Sequence, residues 1–192
     1  MERTRTSITD RLVKLGMLGA LSIVLVLTLN IPIFPVVSFL KFELGDVPIL
    51  LGAFAFGPGW GLLLTVIVSV VQGLTVDAMS GWIGILMHII ATGLPVVIAG
   101  FIYQRKRTRQ GSLIAMSIGV LAKIGVMILC NYFISPLFFT TAELPYAEAQ
   151  AIVVSLLWYI VAFNAIKAVG NGLVTYLLYK PLSRIFFKKQ LF

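Results

Sequence analysis

Few side chains in this sequence could recognise a ligand, and the densest group lies in the apolar stretch Trp158-Tyr-Ile-Val-Ala-Phe163-Asn164-Ala-Ile-Lys167-Ala-Val-Gly-Asn171. Asn164, Lys167 and Asn171 are spaced by three and then four, which puts all three on one face of a helix. Amides offer donors and acceptors and an ammonium offers three donors, so such a face can hold carbonyl and hydroxyl groups. Asn131, Gln72, Thr75 and His88 add polar groups on other apolar segments, flanked by the aromatic residues Trp158, Phe163, Tyr132 and Phe133. That inventory suits a neutral or weakly acidic ligand with a flat ring and several hydroxyl or carbonyl groups. The alternative for each aromatic residue is ordinary packing or lipid contact, and for His88 a hydrogen-bonded packing role.

Catalysis is poorly provided for. His88 is the only histidine, which excludes a His-based metal cluster. There is no Walker motif and no GxGxxG, so nucleotide hydrolysis is not expected of this chain. The acidic residues Glu43, Asp46, Asp77, Glu143 and Glu148 fall in connections rather than within long apolar runs, which argues against a proton relay or sodium site of buried carboxylates. Two other classes remain open from the residues: a small membrane enzyme using His88 and Asp77, and an assembly subunit without ligand in which Lys167 pairs with a neighbouring helix.

The elements that must position these groups are membrane helices. Hydrophobic residues make up 59% of the 192 and charged residues 11%, with a mean hydropathy of +1.03; these values exclude an ordinary soluble domain. A single membrane domain over residues 1–192 is expected, an all-α bundle of six transmembrane helices at about 11–30, 48–57, 60–75, 82–103, 113–134 and 149–179. Lys167 would then lie roughly 13 Å or more from either end of its helix, further than snorkelling readily spans. The segment 31–47 carries Pro32 and Pro35 and cannot be a spanning helix. It is long for a connector, so it reads as a structured external loop, a lid, with a short strand or hairpin in its later part.

The net charge of +8 could suggest nucleic acid, but twelve of the fifteen Lys and Arg fall into three groups of four. These are Arg3, Arg5, Arg11 and Lys14; Arg105, Lys106, Arg107 and Arg109; and Lys180, Arg184, Lys188 and Lys189. Such grouping is what the positive-inside rule expects of cytoplasmic segments, with attraction to anionic membrane lipid, and six spans put all three groups and both termini in the cytoplasm. No nucleic-acid partner is expected. No cleavable signal peptide is evident, and the single Cys130 leaves no internal disulfide. Gly16 and Ala20, small residues four apart on the first helix, allow close helix approach, either within the bundle or to a partner protein.

Four stretches taken in order resemble the substrate-binding S components of energy-coupling factor (ECF) vitamin transporters, most closely the riboflavin-specific type. They are Gly45-Asp46-Val-Pro48-Ile-Leu-Leu-Gly-Ala-Phe-Ala-Phe-Gly57-Pro58, Asn131-Tyr-Phe-Ile-Ser-Pro136, Ala162-Phe163-Asn164-Ala-Ile-Lys167 and Leu178-Tyr-Lys180-Pro-Leu-Ser183. The resemblance covers essentially the whole chain and implies a vitamin-importing subunit of the cell membrane, not an enzyme, with six helices and a long first loop covering the ligand. It implies Asn131, Asn164 and Lys167 as ligand contacts, to which Phe163, Asn171, Gln72 and Asp46 are added as candidates. It implies docking of Gly16 and Ala20 on a coupling membrane protein that works with two ATPase subunits. Riboflavin is the expected cargo and no cofactor is expected. Val71-Gln72-Gly-Leu-Thr75-Val-Asp77 is less Asn-rich than expected of riboflavin binders, so the same scaffold specific for pantothenate or a pyrimidine-type vitamin precursor stays open.

Overall fold

The computed structural model describes residues 8–141 and 143–186, with side chains as far as Tyr179. Arg3, Arg5, Lys188 and Lys189, and the side chains of Lys180 and Arg184, lie outside the described residues. The chain runs α1 (Ile8–Thr28), β1 (Ile31–Pro32), a 3-10 turn (Pro35–Val37), β2 (Lys41–Phe42), α2 (Asp46–Phe56), α3 (Pro58–Leu74), a second turn (Ala78–Ser80), α4 (Gly81–Arg105), α5 (Arg109–Phe133), the short α6 (Ser135–Phe139) and α7 (Tyr146–Phe186). Six substantial helices form the bundle of a multi-pass membrane protein. Four of the segments, Ile8–Thr28, Ala78–Arg105, Arg109–Phe133 and Tyr146–Tyr179, are long and apolar enough to cross a bilayer.

α2 and α3 are the exceptions, with 11 and 17 residues. At 1.5 Å per residue α2 reaches about 16 Å, half the hydrocarbon thickness. Its end is set by Gly57, whose φ of 109° lies where side chains are strained, and by Pro58 at the first position of α3. Gly61 then lets α3 close on α2, since a Cβ there would meet the Ala53 Cβ at 2.5 Å.

Because most of α2 is buried, including Val47, Ile49, Leu51 and Phe54, it forms the central post of the bundle. On one side Ile49 and Ala53 pack with Leu15 and Leu18 of α1, Leu64 and Val68 of α3 and Val96 of α4. On the other, Val47, Leu51 and Phe54 meet Ala99 and Tyr103 of α4, Ala115 and Met116 of α5, and Tyr179 of α7. The hydroxyls of Tyr103 and Tyr179 hydrogen-bond to each other in this core. α1 packs on α2 and α3, and Leu12, Val13, Met17 and Leu21 are exposed on its outer side.

The lid segment contains an antiparallel two-stranded ladder pairing Ile31 with Phe42 and Pro32 with Lys41. Val37 at its tip is fully buried. Phe39 and Phe34 make edge contacts to Phe139 of α6 and Tyr159 of α7, with ring centroids 5.8 and 5.9 Å apart. One face of the loop is thus fastened to the last two helices.

Candidate functional site

Beneath this loop the helices frame a partly open cavity of about 160 Å³. The loop contributes Phe39, Leu40 and Lys41; α3 contributes Ser69 and Gln72; α4 contributes Met87, His88 and Ala91. α5 contributes Lys123, Met127 and Asn131, a face repeating every four residues, and α7 contributes Phe163, Asn164 and Lys167. Asn131, Asn164, Lys167, Phe163 and Gln72 therefore come together as lining residues. Asn171 and Asp46 do not; they border a second, smaller space of about 40 Å³ that also touches Lys123.

Among the flanking aromatics only Phe163 faces the cavity; Trp158 is 78% and Phe133 58% exposed, and Tyr132 is exposed as well. Phe39, Phe138 and Phe139 supply the aromatic surface instead. Tyr132 and Phe133 fall on the opposite side of α5 from Met127, and the chain's turn into α6 after Phe133 is what carries Phe138 and Phe139 over the cavity.

The expectation that the carboxylates stay outside is corrected by the structure. Glu43 is 0% exposed and Asp46 4%. The stretch between β2 and α2 folds inward because its carboxylates find ammonium partners: Lys167 Nζ donates to Glu43 Oε1 at 2.5 Å and Lys123 Nζ to Asp46 Oδ2 at 2.8 Å. A buried charge is tolerated only when so paired and bonded. Further donors complete the set. The Gly45 N–H donates to Glu43 Oε2 at 2.9 Å, the Thr92 hydroxyl to Asp46 Oδ1 at 2.9 Å, and the Asn171 amide to the Glu43 carbonyl at 3.1 Å. Asn171 and Asp46 thus anchor the inner end of the lid segment.

His88 lies between the two carboxylates, Nε2 being 3.6 Å from Glu43 and 3.9 Å from Asp46. The Ser69 hydroxyl donates to the Thr65 carbonyl at 2.6 Å and lies 2.8 Å from His88 Nδ1. Nε2 has no hydrogen-bond partner among the described residues. Gln72 Oε1 is likewise unpaired, its amide nitrogen donating to Asp77 Oδ2 at 2.6 Å. Asn131 donates to Met127 O and accepts from Ser135, and Asn164 donates to Ile160 O.

Glu43, Asp46 and His88 present ligand atoms within 4.8 Å of one another, the spacing of a metal site. Each carboxylate, however, already holds an ammonium at bonding distance. Asp77 is engaged by Lys41 at 3.2 Å and by Gln72, and no hydrogen bond joins it to His88 among the described residues.

Sequence reasoning missed Lys123, Glu43, Lys41 and Ser69. A signal for the lysines was present: those outside the three basic groups are Lys41, Lys123 and Lys167, and all three line the cavity. Gly16 and Ala20 are exposed on α1, and a Cβ at Gly16 would meet nothing within 4 Å.

A helical membrane bundle around a largely apolar cavity with a few convergent polar groups is the build of a substrate-binding transport subunit. Residues 10–179 match the family described as "ECF transporter, substrate-specific component", and the chain belongs to that family. The riboflavin transporter RibU of Lactococcus lactis subsp. cremoris (strain NZ9000) is 34% identical over 127 residues, covering 65% of this chain and 62% of that protein. The RibU of Staphylococcus aureus (strain TCH60) is 29% identical over 90% of each chain. The riboflavin transporter FmnP of Bacillus subtilis (strain 168) is 26% identical over 90% of this chain and 91% of its own. A solved structure described as "Structure and mechanism of the S component of a bacterial ECF transporter" superposes with a TM-score of 0.75 at 27% identity, over 93% of this chain and 98% of the other.

Proposed function

We propose that this chain is the riboflavin-binding subunit of an ECF-type importer, holding the vitamin in the cavity beneath the loop 31–47 on the outer side. A coupling membrane protein with two ATPase subunits then drives its release inside. In this reading the chain is one membrane domain with both termini cytoplasmic, and it performs no chemistry on its cargo. The observation that carries it is the cavity wall, where Asn131, Asn164 and Lys167 stand with the rings of Phe39, Phe138, Phe139 and Phe163. Riboflavin supplies a flat ring for the aromatics and carbonyl and hydroxyl groups for the amides and the ammonium. Support comes also from the relatives, which are named as riboflavin transporters.

The test is flavin fluorescence of the purified subunit. Wild type should quench added riboflavin stoichiometrically, while Lys167→Ala and Asn164→Ala each weaken binding by roughly tenfold or more, the loss of a hydrogen bond to a buried group. Lys167→Ala also strands Glu43 and should be the worse of the two. A wild-type protein indifferent to riboflavin would overturn the assignment.

A further inference from the structure

The smaller space follows the larger cavity along the same helices. On α5 the cavity is lined at Asn131, Met127 and Lys123 and the smaller space at Lys123, Gly119 and Met116; on α7 the cavity reaches Lys167 and the smaller space takes Asn171 and Gly172. The two are therefore stacked end to end, and Lys123 borders both. Apart from Leu50 and Val120, every residue around the smaller space is buried. Gly172 is itself buried, yet a Cβ there would meet nothing within 4 Å. The volume of about 40 Å³ is far too small for a vitamin, but it exceeds the roughly 10–15 Å³ that one water molecule needs.

Two polar groups in its wall ask for a partner. The Asn171 amide nitrogen donates to the Glu43 carbonyl at 3.1 Å, and because a carbonyl only accepts, that bond fixes which way the amide points. Its Oδ1 then has no hydrogen-bond partner among the described residues, although Asn171 is only 1% exposed. Lys123 Nζ donates to Asp46 Oδ2 at 2.8 Å and makes no other hydrogen bond among the described residues, which leaves two of its three N–H groups. Leaving such groups unsatisfied in a buried place is costly. An occupant must therefore accept from an ammonium and donate to an amide oxygen. The ammonium repels a cation, and the Asp46 carboxylate with Asn171 Oδ1 repels an anion. Water does both tasks and carries no charge.

We propose that this space is a hydration site, in which a bound water molecule accepts from Lys123 Nζ and donates to Asn171 Oδ1. The Thr92 hydroxyl, which donates to Asp46 Oδ1 and keeps lone pairs of its own, lies in the same wall for a second donation. The site has a structural task. Lys123 and Asn171 are two of the residues that hold the inner end of the loop 31–47, one through Asp46 and the other through the Glu43 carbonyl. A water between them ties the α5 grip to the α7 grip, and it does so whatever the cargo is.

The test is water-to-amide NMR on the full chain in detergent. Labelling asparagine with nitrogen-15 gives four side-chain amides, Asn30, Asn131, Asn164 and Asn171, and the signal missing in Asn171→Asp assigns the last. A rotating-frame Overhauser effect from water has the opposite sign to proton exchange, so it reports proximity alone. Wild type should show it at the Asn171 amide. Gly172→Val fills the space and should abolish it there, while the water signals of Asn131 and Asn164, which line the larger cavity, stay as they are. Lys123→Met combined with Asp46→Asn removes the ammonium and should cut the Asn171 effect by half or more. No effect at Asn171 in wild type overturns the inference, and so does an undiminished effect in Gly172→Val or in the double variant. If Gly172→Val does not fold, Gly172→Ala decides: its methyl should at least halve the effect, and an unchanged one overturns the site.

Discussion

Asp46 and Lys123 meet with side chains only 5% and 4% exposed, which makes their contribution to stability a question of what happens when one is removed. Replacing both by uncharged groups of similar shape is often neutral, whereas removing one strands a buried charge at a cost of about 3–5 kcal/mol. Lys123→Met should therefore lower the thermal midpoint markedly in detergent, and Asp46→Asn combined with Lys123→Met should restore most of the loss. Equal midpoints for the single and the double variant would show that the stranded carboxylate is not the cause. The two lysines also mark how far single residues could be read from the sequence. Lys167 declared itself by standing in a long apolar run between two asparagines at helical spacing. Lys123 has the same signature, with Leu121, Ala122, Ile124 and Val126 around it, and it too is buried in the cavity wall. Their partners were not legible, because a carboxylate in a connection is ordinarily solvated, and only the inward fold of residues 43–46 brings Glu43 and Asp46 to the ammonium groups.

The junction of α2 and α3 shows the same limit at the scale of an element. Gly57-Pro58 marked a break in the sequence, and the break is there. The start of α2 was less legible, because Pro48 reads as a helix start whereas the helix begins at Asp46. A proline in the first turn removes an N–H that has no intrahelical acceptor, so it fits the third helical position as readily as the first. The two missed residues are the ones that matter, since they give Asp46 helical geometry and aim it at Lys123. The short α6 went unread for a similar reason: Pro136 looked like the end of a helix but lies in the first turn of a new one. Gly57→Ala tests the junction. Its φ of 109° and ψ of 167° belong to a region nearly closed to other residues, so the variant should lose about 1–3 kcal/mol. A Cβ there would also lie 2.5 Å from the Gln104 side-chain nitrogen, which must move away. Gly59→Ala, two residues on and facing open space, is the matched control and should be neutral or slightly stabilising. If both variants melt like wild type, the conformation at Gly57 is not a constraint on the fold.

At the scale of the whole molecule the proposed function asks for two surfaces, one for cargo and one for a partner, and different helices are available for them. The cavity is lined from the lid loop and from α3 to α7, and α1 contributes nothing to it. Conversely α1 packs chiefly on α2 and α3, and turns Leu12, Val13, Gly16, Met17 and Ala20 outward. Lipid covers an apolar helix face as well as protein does, so exposure alone assigns no partner. What distinguishes this face is the small pair Gly16 and Ala20, which lets another helix come close enough for backbone contact. A bulky residue placed there should therefore separate uptake from binding. Gly16→Trp should fold and quench riboflavin with an affinity within about twofold of wild type, because surface substitutions away from the core cost little. In cells that co-express the coupling protein and the ATPases, the same variant should lose most riboflavin uptake, and Gly125→Trp, at an exposed glycine of α5 with equally open surroundings, should not. Undiminished uptake by Gly16→Trp would exclude this face of α1 as the docking surface. Loss in both variants would mean that any bulky addition to the membrane-facing surface is harmful, and the small pair would then carry no special meaning.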